Sequence, residues 1–217
     1  MEDSRRAWEI VREVARIVDA ATIRAGEFLS NREELIHTAD QAIEPLLDEY
    51  FDILPIEKIL INDTLRVIIP SLRPTQKKRM VPTIYPSSPQ QRADYTEQLC
   101  NTLNAWSKSR RFVVRGQTMA VEKLGIGVAV LQKTSIANDF QQSKISSDLL
   151  AALARLRKVS SRKLNTFELF RGAKVFDRNS LYLVKAIGQR FWTQTAALND
   201  ADEIAGTLLM YVPQEVA

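Results

Sequence analysis

The 217-residue chain has one cysteine, Cys100, and one histidine, His37. A lone cysteine excludes an intramolecular disulfide and a Cys-rich zinc module, and a lone histidine excludes any mechanism that needs two. Glycine is scarce, with seven residues. No G-x-x-x-x-G-K-[ST] string occurs, and Gly125-Ile126-Gly127 runs straight on into Val128-Ala129-Val130-Leu131. A phosphate loop leads into a helix N-terminus instead, so these glycines read as a hairpin turn. No G-x-S-x-G, Glu-x-Lys or Asp-x-Lys string is present either, which argues against an α/β-hydrolase and against a restriction-type nuclease. No apolar run approaches the roughly 20 residues of a membrane span. The acidic start, Met1-Glu2-Asp3-Ser4, is not a secretory signal, so a cytoplasmic protein without a membrane association is expected. No cofactor is expected.

What is present is a core and an uneven charge. Hydrophobic residues make up 45% and charged ones 26%, a composition that supports one large or two small domains. The net charge of +4 divides sharply. Residues 1–55 hold 6 Lys/Arg against 13 Asp/Glu, or −7, and residues 56–217 hold 24 against 13, or +11. Such asymmetry points to a nucleic acid, DNA or RNA, or to an acidic protein surface as partner.

The periodicity of the first quarter is helical. Ile10, Val14, Ile17, Ala21 and Ala25 recur at steps of three and four, and Ser30-Asn31-Arg32-Glu33 reads as a capping box opening a second helix through Ile36, Ile43, Leu46 and Tyr50. Residues 1–55 are expected to be an acidic helical hairpin serving homo-oligomerisation or docking.

Residues 56–217 are expected to be a basic α+β domain: an antiparallel sheet built from hairpins, with helices on one face. The expected hairpins are 58–61 with 65–69 across Asn62-Asp63, 112–121 with 126–133, and 173–176 with 181–184. Helices are expected through Tyr95, Leu99, Leu103 and Trp106, through 146–156, and from Asn199 or Asp200 onward. Five of the eight prolines fall within 70–89, so 70–92 reads as an extended loop, with 74–90 a mobile arm that orders on binding.

The candidate chemistry is charge. Arg73, Lys77, Lys78 and Arg79 lie in the loop; Lys108, Arg110, Arg111 and Arg115 flank Trp106 and Phe112; Arg162, Lys163, Arg171, Lys174, Lys185 and Arg190 are interleaved with aromatics that include Trp192. Cations neutralise phosphates and release counterions, and exposed aromatics stack on unpaired bases. These residues make a non-enzymatic nucleic-acid-binding or accessory protein the leading expectation. A protein-interaction subunit is the second. A Mg²⁺-dependent enzyme using Asp200 and Asp202 is the third, but Asp200 with Glu203 also spells a helix capping box. Cys100 and His37 read as structural or surface side chains.

Overall fold

A computed structural model describes residues 2–27, 32–73, 81–107, 112–122, 125–135, 172–177 and 180–211. The chain divides into two compact units, Met1–Ile61 and Asn62–Ala217.

In the first unit, helix α1 (Glu2–Glu27) and helix α2 (Arg32–Tyr50) form the expected hairpin. Arg6 grips Glu49 bidentately, Nε to Oε1 at 2.5 Å and Nη2 to Oε2 at 2.8 Å, which ties the start of α1 to the end of α2. Pro45 lies inside α2 without ending it. The helix ends in a Schellman motif: Ile53 N–H donates to Asp48 O at 2.8 Å, and Asp52 N–H to Glu49 O at 3.2 Å. Asp52 occupies the left-handed position of that motif at φ 51°, a conformation that a short polar side chain tolerates.

The expected first hairpin does not form. Helix α3 (Pro55–Asp63) continues through a π-helical turn (Thr64–Ile68) into helix α4 (Ile69–Leu72). A β-branched apolar run of this length fits strand and helix alike. Its start is decided locally: Pro55 stands at the first helical position, and Glu57 accepts the Leu54 N–H at 2.9 Å.

The proline-rich stretch is corrected as well. Residues 74–80 lie outside the described residues, but 81–90 are not a free arm. Pro82–Ile84 form a 3-10 turn, Ser71 Oγ accepts the Thr83 N–H at 3.1 Å, and Pro86 bridges Gly188. Ser87 N–H donates to Ile187 O and Gln189 N–H to Tyr85 O, both at 2.7 Å. Helix α5 (Pro89–Ser107) then begins earlier than expected, at a complete capping box. Ser88 Oγ accepts from Gln91 N–H at 3.1 Å, and Gln91 Oε1 accepts from Ser88 N–H at 2.8 Å.

The other two hairpins stand. Strands β1 (Phe112–Val121), β2 (Ile126–Ser135), β3 (Ala173–Asp177) and β4 (Ser180–Ala186) make one antiparallel sheet in the order β1-β2-β4-β3. Gly125 turns the first of these hairpins at φ 65°. Helices α5 and α6 (Gln194–Tyr211) pack on the same sheet face, burying Tyr95, Leu99, Ala129, Leu131, Leu183, Ala197, Ala201 and Ile204 in one core. On the opposite face Val128, Val130 and Val184 form a second buried cluster, so the centre of the sheet is withdrawn from water on both sides. Asn104 of α5 completes the edge of β1, accepting from Val114 N–H at 2.7 Å and donating to Val114 O at 2.9 Å. The architecture is α+β, as expected. The expected helix at 146–156 lies outside the described residues.

Candidate functional site

The sheet places alternate side chains on one face. Leu181, Leu183 and Lys185 of β4 therefore point toward α5 and α6, and Lys185 arrives there with a charge. Its side chain is 8% exposed and pairs with Asp200 of α6, itself 18% exposed. The same carboxylate oxygen, Oδ2, accepts the Tyr95 hydroxyl at 2.5 Å, and Lys185 Nζ lies 3.4 Å from that hydroxyl. The ammonium also lies 4.5 Å from the centre of the Tyr95 ring. Burial pushes the Tyr95 hydroxyl well above its ordinary pKa, and the Asp200 charge pushes it further. Burial lowers the Lys185 pKa while Asp200 pulls it back.

Trp192 closes the group. Its ring stands edge-on to Tyr95 at 5.1 Å, and its indole N–H donates to Ala186 O at 2.9 Å. Room for it comes from Gly127: a Cβ there would lie 2.4 Å from Trp192 Cζ2. Lys174 of β3, on the same face as Lys185, pairs with Glu203 one turn beyond Asp200. Two lysines of the sheet thus meet two carboxylates of α6.

A cavity of about 730 Å³ adjoins these pairs, lined by β3, β4, the 189–191 turn and one face of α6. Arg190 and Phe191 stand in its wall, the guanidinium 4.4 Å from the ring centre.

This geometry sorts the residues singled out in the sequence. Lys185 and Trp192 are interior, Trp192 being 2% exposed, so neither is a surface contact for a phosphate or a base. Lys174 is held by Glu203. Arg73, Arg115 and Arg190 have no carboxylate partner among the described residues. Lys77, Lys78, Arg79, Lys108, Arg110, Arg111, Arg162, Lys163 and Arg171 lie outside the described residues. Arg92, another cation of the proline-rich stretch, is buried and donates to Ser87 O and to Ser87 Oγ.

The capping reading of Asp200 is corrected: α6 starts six residues earlier, and Asp200 sits within it. The cap is Thr193, whose Oγ1 accepts the Ala196 N–H at 3.0 Å, and Asp63 Oδ2 accepts the Thr195 N–H at 2.6 Å. Asp202 is exposed, and two positions along a helix do not share a face, so Asp200 and Asp202 do not converge on a metal. Among the described residues no group of three or more His, Cys, Asp and Glu is placed to hold an ion. Burial pushes the Cys100 thiol up to about 12, which leaves it protonated and inert at neutral pH. No helix among the described residues is long and apolar enough to cross a membrane.

The fold defined by these elements is a four-stranded antiparallel sheet with two helices locked to one face by a tyrosine–lysine–aspartate group. The chain matches no family model, no curated protein and no solved structure.

Proposed function

We propose that this is a non-enzymatic nucleic-acid-binding or accessory protein whose basic unit contacts phosphates. The observation that carries the reading is that charge follows the compact units. Residues 1–61 hold 7 Lys/Arg against 14 Asp/Glu, or −7, and residues 62–217 hold 23 against 12, or +11. A compact body of that charge concentrates polyanions at its surface. Arg73, Arg115 and Arg190 are its described contact candidates, and the candidates at 77–79, 108–111, 162–163 and 171 extend the set. Trp106, 47% exposed at the end of α5 and two positions before Lys108 in the sequence, supplies a stacking surface.

Fluorescence anisotropy on duplex and single-stranded DNA and RNA across a salt series tests the reading. A steep loss of affinity with salt is expected, and each of Arg73→Gln, Arg115→Gln and Arg190→Gln should lower the duplex log–log slope by about 0.9. Salt-independent binding, or none, sinks it.

The acidic unit contributes self-association in the same proposal. Trp8, Ile23 and Phe51 are each about two-thirds exposed, and no residue of α2 is buried. A cavity of about 480 Å³ runs between Val18, Ala21 and Ala25 of α1 and Leu35, Ile36 and Ala39 of α2, with Thr22, Arg32 and Asp40 also in its wall. A second hairpin laid against it completes a four-helix bundle. A cytoplasmic location completes the proposal, in keeping with a single buried thiol.

A further inference from the structure

Among the described residues three cations line the cavity beside α6, and two are matched: Lys185 by Asp200 and Lys174 by Glu203. Arg190 is exposed and has no carboxylate partner among the described residues. Its guanidinium stacks on Phe191, an arrangement that steadies the planar fork and leaves its in-plane N–H groups for an anion.

The same cavity offers an acceptor. Asp200 spends Oδ2 on both Tyr95 and Lys185, so Oδ1 takes no hydrogen bond among the described residues. Leu183 and Ala196 supply apolar wall. The volume falls within the roughly 300–1,000 Å³ of small-ligand pockets. A ligand that satisfies an arginine, a carboxylate oxygen and an apolar wall together is a flat ring bearing an exocyclic amino group and a tethered anion.

We propose that this cavity receives one unpaired nucleotide of the bound nucleic acid, its phosphate on Arg190 and the amino edge of its base on Asp200. The inference rests on the nucleic-acid reading of the basic unit. It adds a specificity that phosphate contacts lack. A carboxylate accepts from the amino group of cytosine or adenine, whereas thymine and uracil present a carbonyl oxygen at that edge. Oligo-dC should therefore bind more tightly than oligo-dT of equal length.

The test is anisotropy with labelled oligo-dC and oligo-dT on the full chain, together with Ala196→Trp, which fills the cavity without removing either ion pair, and Arg190→Gln on an exposed side chain. The expected result is a preference of about tenfold for oligo-dC, lost in Ala196→Trp with oligo-dT affinity unchanged, whereas Arg190→Gln weakens both oligonucleotides. Thermal unfolding identifies a misfolded Ala196→Trp, in which case the smaller Ala196→Leu takes its place. Equal affinities, or a preference that survives the filled cavity, overturn the pocket and leave the phosphate-binding reading standing. If neither oligonucleotide binds, that reading falls, and calorimetry with cytidine and uridine monophosphate decides the pocket. Heat with the cytidine nucleotide that Arg190→Gln abolishes supports it, and no heat overturns it.

Discussion

Lys185 of β4 and Asp200 of α6 form a buried ion pair, and the Tyr95 hydroxyl of α5 donates to the same carboxylate oxygen. Three elements converge on one atom. Asp200→Ala would leave a buried ammonium without its partner, so the expected loss is about 3–5 kcal/mol in denaturant unfolding. Replacing the whole group by Lys185→Met, Asp200→Leu and Tyr95→Phe should recover most of that loss, because no polar atom of the three is then stranded. A triple variant as weak as the single one would show that the group has a role in packing that apolar side chains cannot fill.

Alkaline pH should unfold the basic unit. The Cys100 pKa is raised from 9.0 to about 12 in the folded state, so above pH 9 the unfolded chain releases its thiol proton first and stability falls up to about pH 12. That thiol alone is worth on the order of 4 kcal/mol over the window. Tyr95, also raised, acts in the same direction above pH 10. Lys185 acts in the opposite sense, because its folded pKa is lowered and stability returns as pH climbs toward 10.5. Unfolding midpoints of wild type and Cys100→Ala between pH 8 and 12, compared by slope, check the assignment: the variant should decline less steeply.

Gly127 is required by Trp192. The methyl group of Gly127→Ala would lie 2.4 Å from the indole, so a cost of about 1–3 kcal/mol is expected. Trp192→Phe in the Gly127→Ala background should relieve part of it, and a double-mutant cycle should show positive coupling. Additive losses would place the strain elsewhere.

The start of α6 separates two kinds of carboxylate. Thr193→Ala removes the cap and should cost about 0.5–2 kcal/mol, with Asp63→Ala costing a similar amount. Asp202→Asn, on an exposed position, should stay within about 0.5 kcal/mol of wild type. Thermal melts of the three variants order them directly.

Light scattering checks the acidic hairpin. The wild type should have the mass of two copies, and Val18→Glu with Ile36→Glu, which replace apolar side chains lining the cavity of the first unit with charge, should halve it. A wild-type monomer would leave that face to a different protein.

Much of the fold is local in origin and was therefore open to reading. The α1 and α2 stripes, the two hairpins at 112–135 and 173–186, and the helix through Tyr95 and Leu99 follow from periods of 3.6 and 2. The start of α5 was equally legible, in Ser88-Pro89-Gln90-Gln91, but the density of prolines around it masked a capping box. The run from Lys58 to Ile69 was not legible, because β-branched side chains suit a strand while Pro55 and Glu57 open a helix, and period alone does not arbitrate.

The candidate site was the least accessible to sequence. Asp200 with Glu203 carries the same letters whether it caps a helix or lies within one, and basic side chains look alike whether they meet a phosphate or a carboxylate of their own chain. Strand alternation sends Lys185 and Lys174 to one sheet face, helical spacing sets Asp200 and Glu203 on one side of α6, and the order of residues alone separates the charge along the chain. Long-range packing brings these two faces together. It turned two apparent phosphate ligands into internal pairs, buried Trp192 over Gly127, and left Arg190 in the cavity wall without a carboxylate partner among the described residues. Burial and pairing are properties of elements brought together across the fold, and no local pattern encodes which side chain will be opposite which.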